Sequence, residues 1–442
     1  MVLSRNEPFQ LPVRIIQFGE GNFLRGFFDW MVERMNAQGL FHGGIQLVQP
    51  VGQSKCAPIN AQSGLYTVIL RGIDHGAVVE TMERIHCVKG CLNTVTDWRE
   101  IEAIACSPEL RFVCSNTTEA GIEYIENVNT FPAKVARLLH ARFHAHQPGL
   151  IFLPCELIER NGEQLKACVL RYCTDAAVRA YIERECIFCN TLVDRIVSGY
   201  PSEQATHYWQ QLGYEDHLMV CGEPFHFMAI EAPRSVREEI PFDAAGFNVL
   251  FTDDLTPYRM RKVRVLNGAH TASVLAGHLA GFTYVDEMVR DPAFNAFLRT
   301  ILFDEILPTI TLPDAEKRAF AESVLERFAN PFAQHRLLSI ALNSVAKWKV
   351  RILPTILDYL ALYGRIPTGL TASLAALIAF YRQGPVQDVP HVVEFFATQP
   401  TVTMILARSD FWGMDLNTLP DFTRQVEVKL DELKEAYGYS SR

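Results

Sequence analysis

Three residues spaced K-x4-N-x2-H, Lys262, Asn267 and His270, could between them handle the oxygen of a ketone. A lysine ammonium can give its proton to a developing alkoxide, while an amide and an imidazole donate hydrogen bonds that stabilise the charge on that oxygen. At 100° per residue on an α-helix, His270 lies about 80° and Asn267 about 140° round from Lys262, so one pocket could receive all three. The same spacing also suits two satisfied core polars and a lysine that reaches to solvent. For proton transfer near neutral pH the lysine pKa must fall from ~10.4, and partial burial beside Arg259, Arg261 and Arg264 pushes that way.

A second constellation lies near the start, where the apolar run Val13 to Phe18 leads into Gly19-Glu20-Gly21-Asn22-Phe23-Leu24-Arg25 and then an amphipathic helical pattern. Strand, glycine turn and helix in that order begin a dinucleotide site. Gly19 makes the tight turn, Gly21 lets backbone N–H groups approach a pyrophosphate, and Phe18 to Phe23 form the binding segment. Leu24 occupies the place of the third glycine of G-x-G-x-x-G, so a plain structural turn also fits. Glu20 is an awkward neighbour for phosphate unless its side chain points away or Arg25 offsets it. The acid expected about 20 residues on, for the ribose hydroxyls, is absent where Gln49 and Pro50 end the next strand. Only Lys55 stands near for a 2′-phosphate, which favours NAD over NADP. A later strand runs into Asn116-Thr117-Thr118-Glu119, small polar residues suited either to lining the nicotinamide side or to capping a helix.

Such residues need a frame. From residue 13 to about 155 short apolar runs alternate with helical patterns: VRIIQF, FFDWMVERMNAQ, IQLVQPV, then LRFVCSN and GLIFLPC. That alternation predicts βαβ units and a parallel sheet covered on both faces. LYTVILRGI and AVVETMERIHCV are expected to pair through a turn at Asp74-His75-Gly76. Beyond about residue 255 strand signals fade and apolar-periodic stretches such as KRAFAESVLERFA and SLAALIAFYR follow. The expected architecture is α/β: a Rossmann-type parallel-sheet nucleotide-binding domain over 1–250, then a mostly α-helical substrate and catalytic domain over 251–442, packed along a cleft.

A chain of 442 residues exceeds a single ordinary core, and its 49% hydrophobic and 21% charged residues are a globular composition able to fill two. The net charge of −9, spread without basic blocks, excludes nucleic acid as a partner. Neither a signal-peptide stretch nor a membrane-length apolar run occurs, so a cytoplasmic protein, monomeric or a small homo-oligomer, is expected. Eleven cysteines without a secretion signal predict reduced thiols. His86, Cys87 and Cys91 with the C-x-x-C of Cys186 and Cys189 could share a zinc ion, although buried thiols fit the same residues.

The motifs together resemble one family. G-E-G-N-F-L-R at 19–25, S-N-T-T-E-A-G at 115–121, P-C-E-L-I-E-R-N-G at 154–162, V-D-R-I at 193–196, G-E-P-F at 222–225 and R-F-A-N-P at 327–331 accompany K-x4-N-x2-H in the order of the polyol-specific long-chain dehydrogenases. The resemblance implies a metal-independent oxidoreductase with Lys262 as general acid or base, Asp194 in the cofactor site, and Glu156 and Lys347 among the substrate-binding residues. Cys155-Glu156-Leu157 stands where relatives acting on neutral polyols carry C-D-N. Leu157 therefore lacks that asparagine's donor, and Asn161 or a water could substitute. Ser339 replaces an arginine of those relatives, and Arg259 replaces the glutamate three residues before the lysine in the mannitol enzymes. These exchanges favour a carboxylate-bearing substrate over a neutral polyol. G-E-G-N-F-L-R-x-F-x-D-W at Gly19 to Trp30 and S-I-A-L-N-S at Ser339 to Ser344 resemble the tagaturonate branch of that family, and this resemblance implies NADH-linked interconversion of D-tagaturonate and D-altronate, with a fructuronate or mannitol oxidoreductase, or a non-catalytic NADH sensor, as alternatives.

Overall fold

The computed structural model describes residues 1–50, 56–126 and 128–437. The chain divides into two compact units, one of Met1–Arg71 and Val78–Leu255, the other of Gly72–Ala77 and Thr256–Arg442.

The first unit is built on a sheet of six parallel strands. Its members are β1 (Val13–Phe18), β2 (Gly44–Gln49), β5 (Val88–Asn93), β6 (Phe112–Ser115), β7 (Ile151–Pro154) and β8 (Ile187–Phe188), in the order β5-β2-β1-β6-β7-β8. With β5 counted as the third strand of this sheet, the order is the 3-2-1-4-5-6 of a Rossmann fold, and the topology reverses between β1 and β6. Alternation along the strands feeds two cores. Ile15, Leu47, Cys114 and Leu153 point into one; Ile16, Phe18, Val48, Val113 and Phe152 point into the other. The first core is covered by the Phe28–Ala37 helix and the second by helices Trp98–Ala105, Phe131–His144 and Asn161–Tyr172, which is why these strands read as continuous apolar runs.

Between β2 and β5 the chain inserts the hairpin β3 (Tyr66–Asp74) and β4 (Ala77–Ile85). His75 and Gly76 both have positive φ, 49° and 78°, which matches the right-handed twist of a two-residue hairpin turn. β3 and β4 join β10 (Val197–Gly199) and β11 (Val220–Gly222) in a four-stranded sheet. A third sheet pairs β12 (Phe227–Glu231) with β9 (Asn190–Asp194) and β13 (Val249–Thr252).

From Thr256 onward every named element is helical. The Thr368–Gln383 helix is apolar nearly all round and correspondingly buried. Its first N–H groups are satisfied by Glu305, which accepts from Gly369 N at 2.7 Å and Leu370 N at 2.8 Å. Two stretches, Lys262–Asn267 and Thr300–Ile306, are wound as π-helix. Among the described residues no helix is long and apolar enough to cross a membrane.

Candidate active site

In the first unit the glycine turn sits at the carboxyl end of β1, where the strand order reverses. Gly19 has φ +120°, and a Cβ there would lie 2.8 Å from the Asn116 carbonyl oxygen, so only glycine lets the loops after β1 and β6 come this close. A Cβ on Gly21 would meet no protein atom within 4 Å. The turn is braced from below by Arg25, whose guanidinium donates to Glu20 O, Leu218 O and Asn22 Oδ1 at 3.1, 2.7 and 2.7 Å. Arg25 thus holds the loop backbone and forms no ion pair with the Glu20 carboxylate among the described residues. Asn22 is exposed and Phe23 half-buried, stacked on Phe27 at 5.1 Å. The helix expected after the turn is split into Asn22–Arg25 and Phe28–Ala37, and at the break Gly26 is packed so closely that a Cβ there would lie 2.9 Å from Val220 and 3.2 Å from Val197.

Phe18 ends β1. It is fully buried against Phe131, with ring centroids 5.0 Å apart, because its place in β1 turns it into the sheet's second core. Its side chain is unavailable to a cofactor. Lys55 lies outside the described residues.

The loop after β6 is shaped by Glu156. Glu156 is 2% exposed; Oε1 accepts from Thr117 N (2.9 Å) and Thr117 Oγ1 (3.0 Å), and Oε2 from Ser115 Oγ (3.0 Å). Burial raises its pKa and these hydrogen bonds oppose the rise. Asn116 donates to Cys155 O at 2.8 Å, and Glu119 opens the 3-10 turn Glu119–Gly121. Thr118, exposed, sits at φ 79°, ψ 165°, a region that side-chain-bearing residues avoid and that recurs at functional loops. Glu156 thus braces this loop from inside the protein. Asn161 is buried beside it. At 1% exposure its Nδ2 donates to Pro154 O, Glu156 O and Thr191 O, and its Oδ1 accepts from Gly162 N and Thr191 N, leaving no donor for an alkoxide. Asp194 closes β9, in the three-stranded sheet, and is 5% exposed.

In the second unit Lys262 does not open a helix. Thr256–Arg261 is α, Lys262–Asn267 is π, and Gly268–Leu279 is α again. A π segment takes in about one residue more per turn than the α-helix's 3.6, which places Lys262, Asn267 and His270 within an arc of about 60° rather than 140°. Lys262 and Asn267 are half-buried, and the Asn267 amide makes no side-chain hydrogen bond among the described residues. His270 is 9% exposed, stacked on Phe328 (3.9 Å, 6°) and edge-on to His335 (5.6 Å, 87°). Burial, then the charges of His335, Arg327, Arg351 and Lys347, hold its pKa well below the usual value, so at neutral pH it is an uncharged imidazole. Phe328 and Arg327 belong to the R-F-A-N-P landmark, to which spacing had attached no role; no local signal marks His335.

Two of the three arginines expected to act on Lys262 are already neutralised. Arg261 pairs with Glu316 at 2.7 Å and Arg264 with Asp358 at 2.6 Å. Arg259 is half-buried, three residues before Lys262. Lys347 donates to Ile340 O at 2.9 Å and Arg351, one turn on, to Thr271 Oγ1 at 3.2 Å. Neither has an acidic partner within 4.0 Å among the described residues, and burial lowers the pKa of both. All eleven cysteines are free thiols, and among the described residues no cysteine joins a cluster with metal-ligand geometry. Cys91 meets Cys56, with the two sulfurs 2.7 Å apart.

The family model of the mannitol dehydrogenase Rossmann domain matches residues 13–244, and that of the mannitol dehydrogenase C-terminal domain matches 254–434. The chain belongs to the mannitol dehydrogenase family. Among curated members of this family, it is 44% identical to the altronate oxidoreductase of Halalkalibacterium halodurans over 89% of this chain and 80% of that one. It is 39% identical to the altronate oxidoreductase of Bacillus subtilis (96% and 94% covered) and 40% identical to that of Escherichia coli O7:K1 (96% and 95%). Solved structures show the mannitol dehydrogenase fold at 21% identity. A substrate-free D-sorbitol dehydrogenase superposes with TM-score 0.81 over 98% of this chain and 96% of that one. The Pseudomonas fluorescens mannitol 2-dehydrogenase, solved with NAD and D-mannitol, superposes with TM-score 0.72 over 98% and 94%.

Gly19→Ala tests the nucleotide end. The added methyl must adopt an unfavourable φ against a backbone oxygen that cannot turn aside, a strain of about 1–3 kcal/mol. The expected result is a melting temperature lower by several degrees and NADH bound at least about tenfold more weakly in a fluorescence titration. Unchanged affinity would remove Gly19 from the cofactor site.

Proposed function

We propose that this chain is an NAD-dependent oxidoreductase that interconverts D-tagaturonate and D-altronate. The observation that carries the reading is the joint one: similarity to altronate oxidoreductases along nearly the whole chain, with Lys262, Asn267 and His270 on one face of a π-interrupted helix. The glycine turn fits a dinucleotide, since Gly21 faces open space and Gly19 permits the close loop approach. Gly19 to Phe23, Asn116 to Glu119 and Asp194 would hold it. When bound, it supplies the hydride for reduction of the ketone and takes the hydride back in the reverse reaction.

The protein's own residues handle the oxygen and the acid group. Lys262 gives its proton to the alkoxide and, in the oxidising direction, takes the hydroxyl proton. Asn267 donates its amide hydrogen bond to the same oxygen. His270, neutral and clamped by Phe328, keeps one ring N–H as a fixed donor and does not compete for the proton. Arg259 and Lys347 attract the substrate carboxylate, and Arg351 adds a third positive charge. Eleven free thiols favour a reducing compartment, consistent with work in the cytoplasm.

A substrate and cofactor panel tests this reading. D-Tagaturonate with NADH should give the highest kcat/KM among D-tagaturonate, D-fructuronate and D-fructose, each assayed with NADH and NADPH. A higher value for either rival ketose overturns the substrate, and a preference for NADPH overturns the cofactor.

A further inference from the structure

His140, His144 and Asp175 are exposed residues of the first unit that take no part in the proposed chemistry, yet their ligand atoms lie within 4.8 Å of one another. The two histidines are one turn apart at the end of the Phe131–His144 helix, which places them on the same face. Their Nε2 atoms are 3.2 Å apart and their rings 4.4 Å apart, tilted by 61°. Two imidazole nitrogens bound to one tetrahedral Zn²⁺ at 2.0–2.1 Å must stand about 3.3–3.4 Å apart, so the pair is already at ligand spacing.

Asp175 is the N-cap of the Ala176–Glu185 helix, which packs against the Phe131–His144 helix. Its Oδ1 accepts from Ala177 N (2.7 Å) and Val178 N (3.3 Å). Oδ2 makes no hydrogen bond among the described residues and remains available to a cation. The cap fixes the carboxylate's orientation, as supporting hydrogen bonds do for metal-ligating carboxylates elsewhere. Those two backbone hydrogen bonds, followed by weaker effects that include both histidines, hold its pKa below the usual value, so it offers a charged oxygen.

We propose that His140, His144 and Asp175 form a surface site for a divalent transition cation of the zinc type, tying the last turn of one helix to the cap of another. Two imidazoles and one carboxylate provide three ligands, and water completes a tetrahedron in this solvent-facing position. The site is separate from catalysis, so a chelator should strip the metal and leave kcat unchanged.

Isothermal titration of the chelator-treated full chain with ZnCl₂ should show one ion bound per chain, with affinity on the order of micromolar. His140→Ala and His144→Ala should each weaken binding at least tenfold. Asp175→Asn, which keeps the helix cap, should weaken it measurably with no change in melting temperature of the metal-free protein. Cobalt(II) should give the visible absorption of a tetrahedral nitrogen-and-oxygen site, lost in the double-histidine variant. No binding to the unsubstituted chain, or binding that survives in the double variant, overturns the proposal.

Discussion

Lys262→Ala should lower kcat for D-tagaturonate reduction by at least about 10², up to about 10⁴, the range that a positioned general acid contributes. The size of the effect follows from the lack of a substitute. Arg261 and Arg264 are tied to Glu316 and Asp358, and a guanidinium does not release its proton near neutral pH in any case. His270 is kept neutral by its burial and by His335, Arg327, Arg351 and Lys347, so it has no spare proton to lend. NADH affinity should remain within a few-fold, because the residues proposed to hold the dinucleotide lie on the loops after β1 and β6 and on β9. Lys262→Arg should restore the charge but not the rate. Added primary amines should restore part of the rate in Lys262→Ala, a response that loss of structure alone would not produce. Normal turnover by Lys262→Ala would refute the assignment.

D-Tagaturonate should exceed D-fructose in kcat/KM by about 10 to 150-fold, the equivalent of the roughly 1.5–3 kcal/mol of a charge-assisted hydrogen bond to a carboxylate. Arg259→Glu should narrow that gap chiefly by damaging the acid substrate, since a like charge beside the carboxylate repels it. A fall on both substrates together would instead point to an effect of Arg259 on Lys262. Of the other cations considered, Arg264 is already committed to Asp358. Lys347 and Arg351 are not so committed: they are two half-buried positive charges one turn apart, with no acidic partner within 4.0 Å among the described residues, and such charges are costly unless an anion joins them. If the preference survives Arg259→Glu, Arg351→Gln should remove it. Equal efficiency on the two ketoses in the unsubstituted protein would refute the uronate assignment.

The parallel sheet and the helical second half were legible because their signals are local. Strands buried on both faces must be continuously apolar, and VRIIQF, IQLVQPV and GLIFLPC are; helices show their period in KRAFAESVLERFA and SLAALIAFYR. K-x4-N-x2-H and the glycine turn could be picked out as candidates, but their spacing fitted a structural role as well, and it was the order of the landmarks along the whole chain that singled them out. What the sequence alone left undecided was where each side chain's partners come from. Glu156 and Asn161 have the composition of substrate ligands, but Thr117, Ser115 and Thr191 arrive from other strands and loops to satisfy them inside the protein. Phe18 is next to the glycine turn in the chain, and the direction of the strand buries it. The arginines around Lys262 look like a uniform positive field until Glu316 and Asp358 fold back onto two of them. Even the face shared by Lys262, Asn267 and His270 depends on a π winding that a period of 3.6 does not reveal. Period and spacing are properties of neighbouring residues, whereas burial, pairing and helix winding depend on atoms brought together only by tertiary packing.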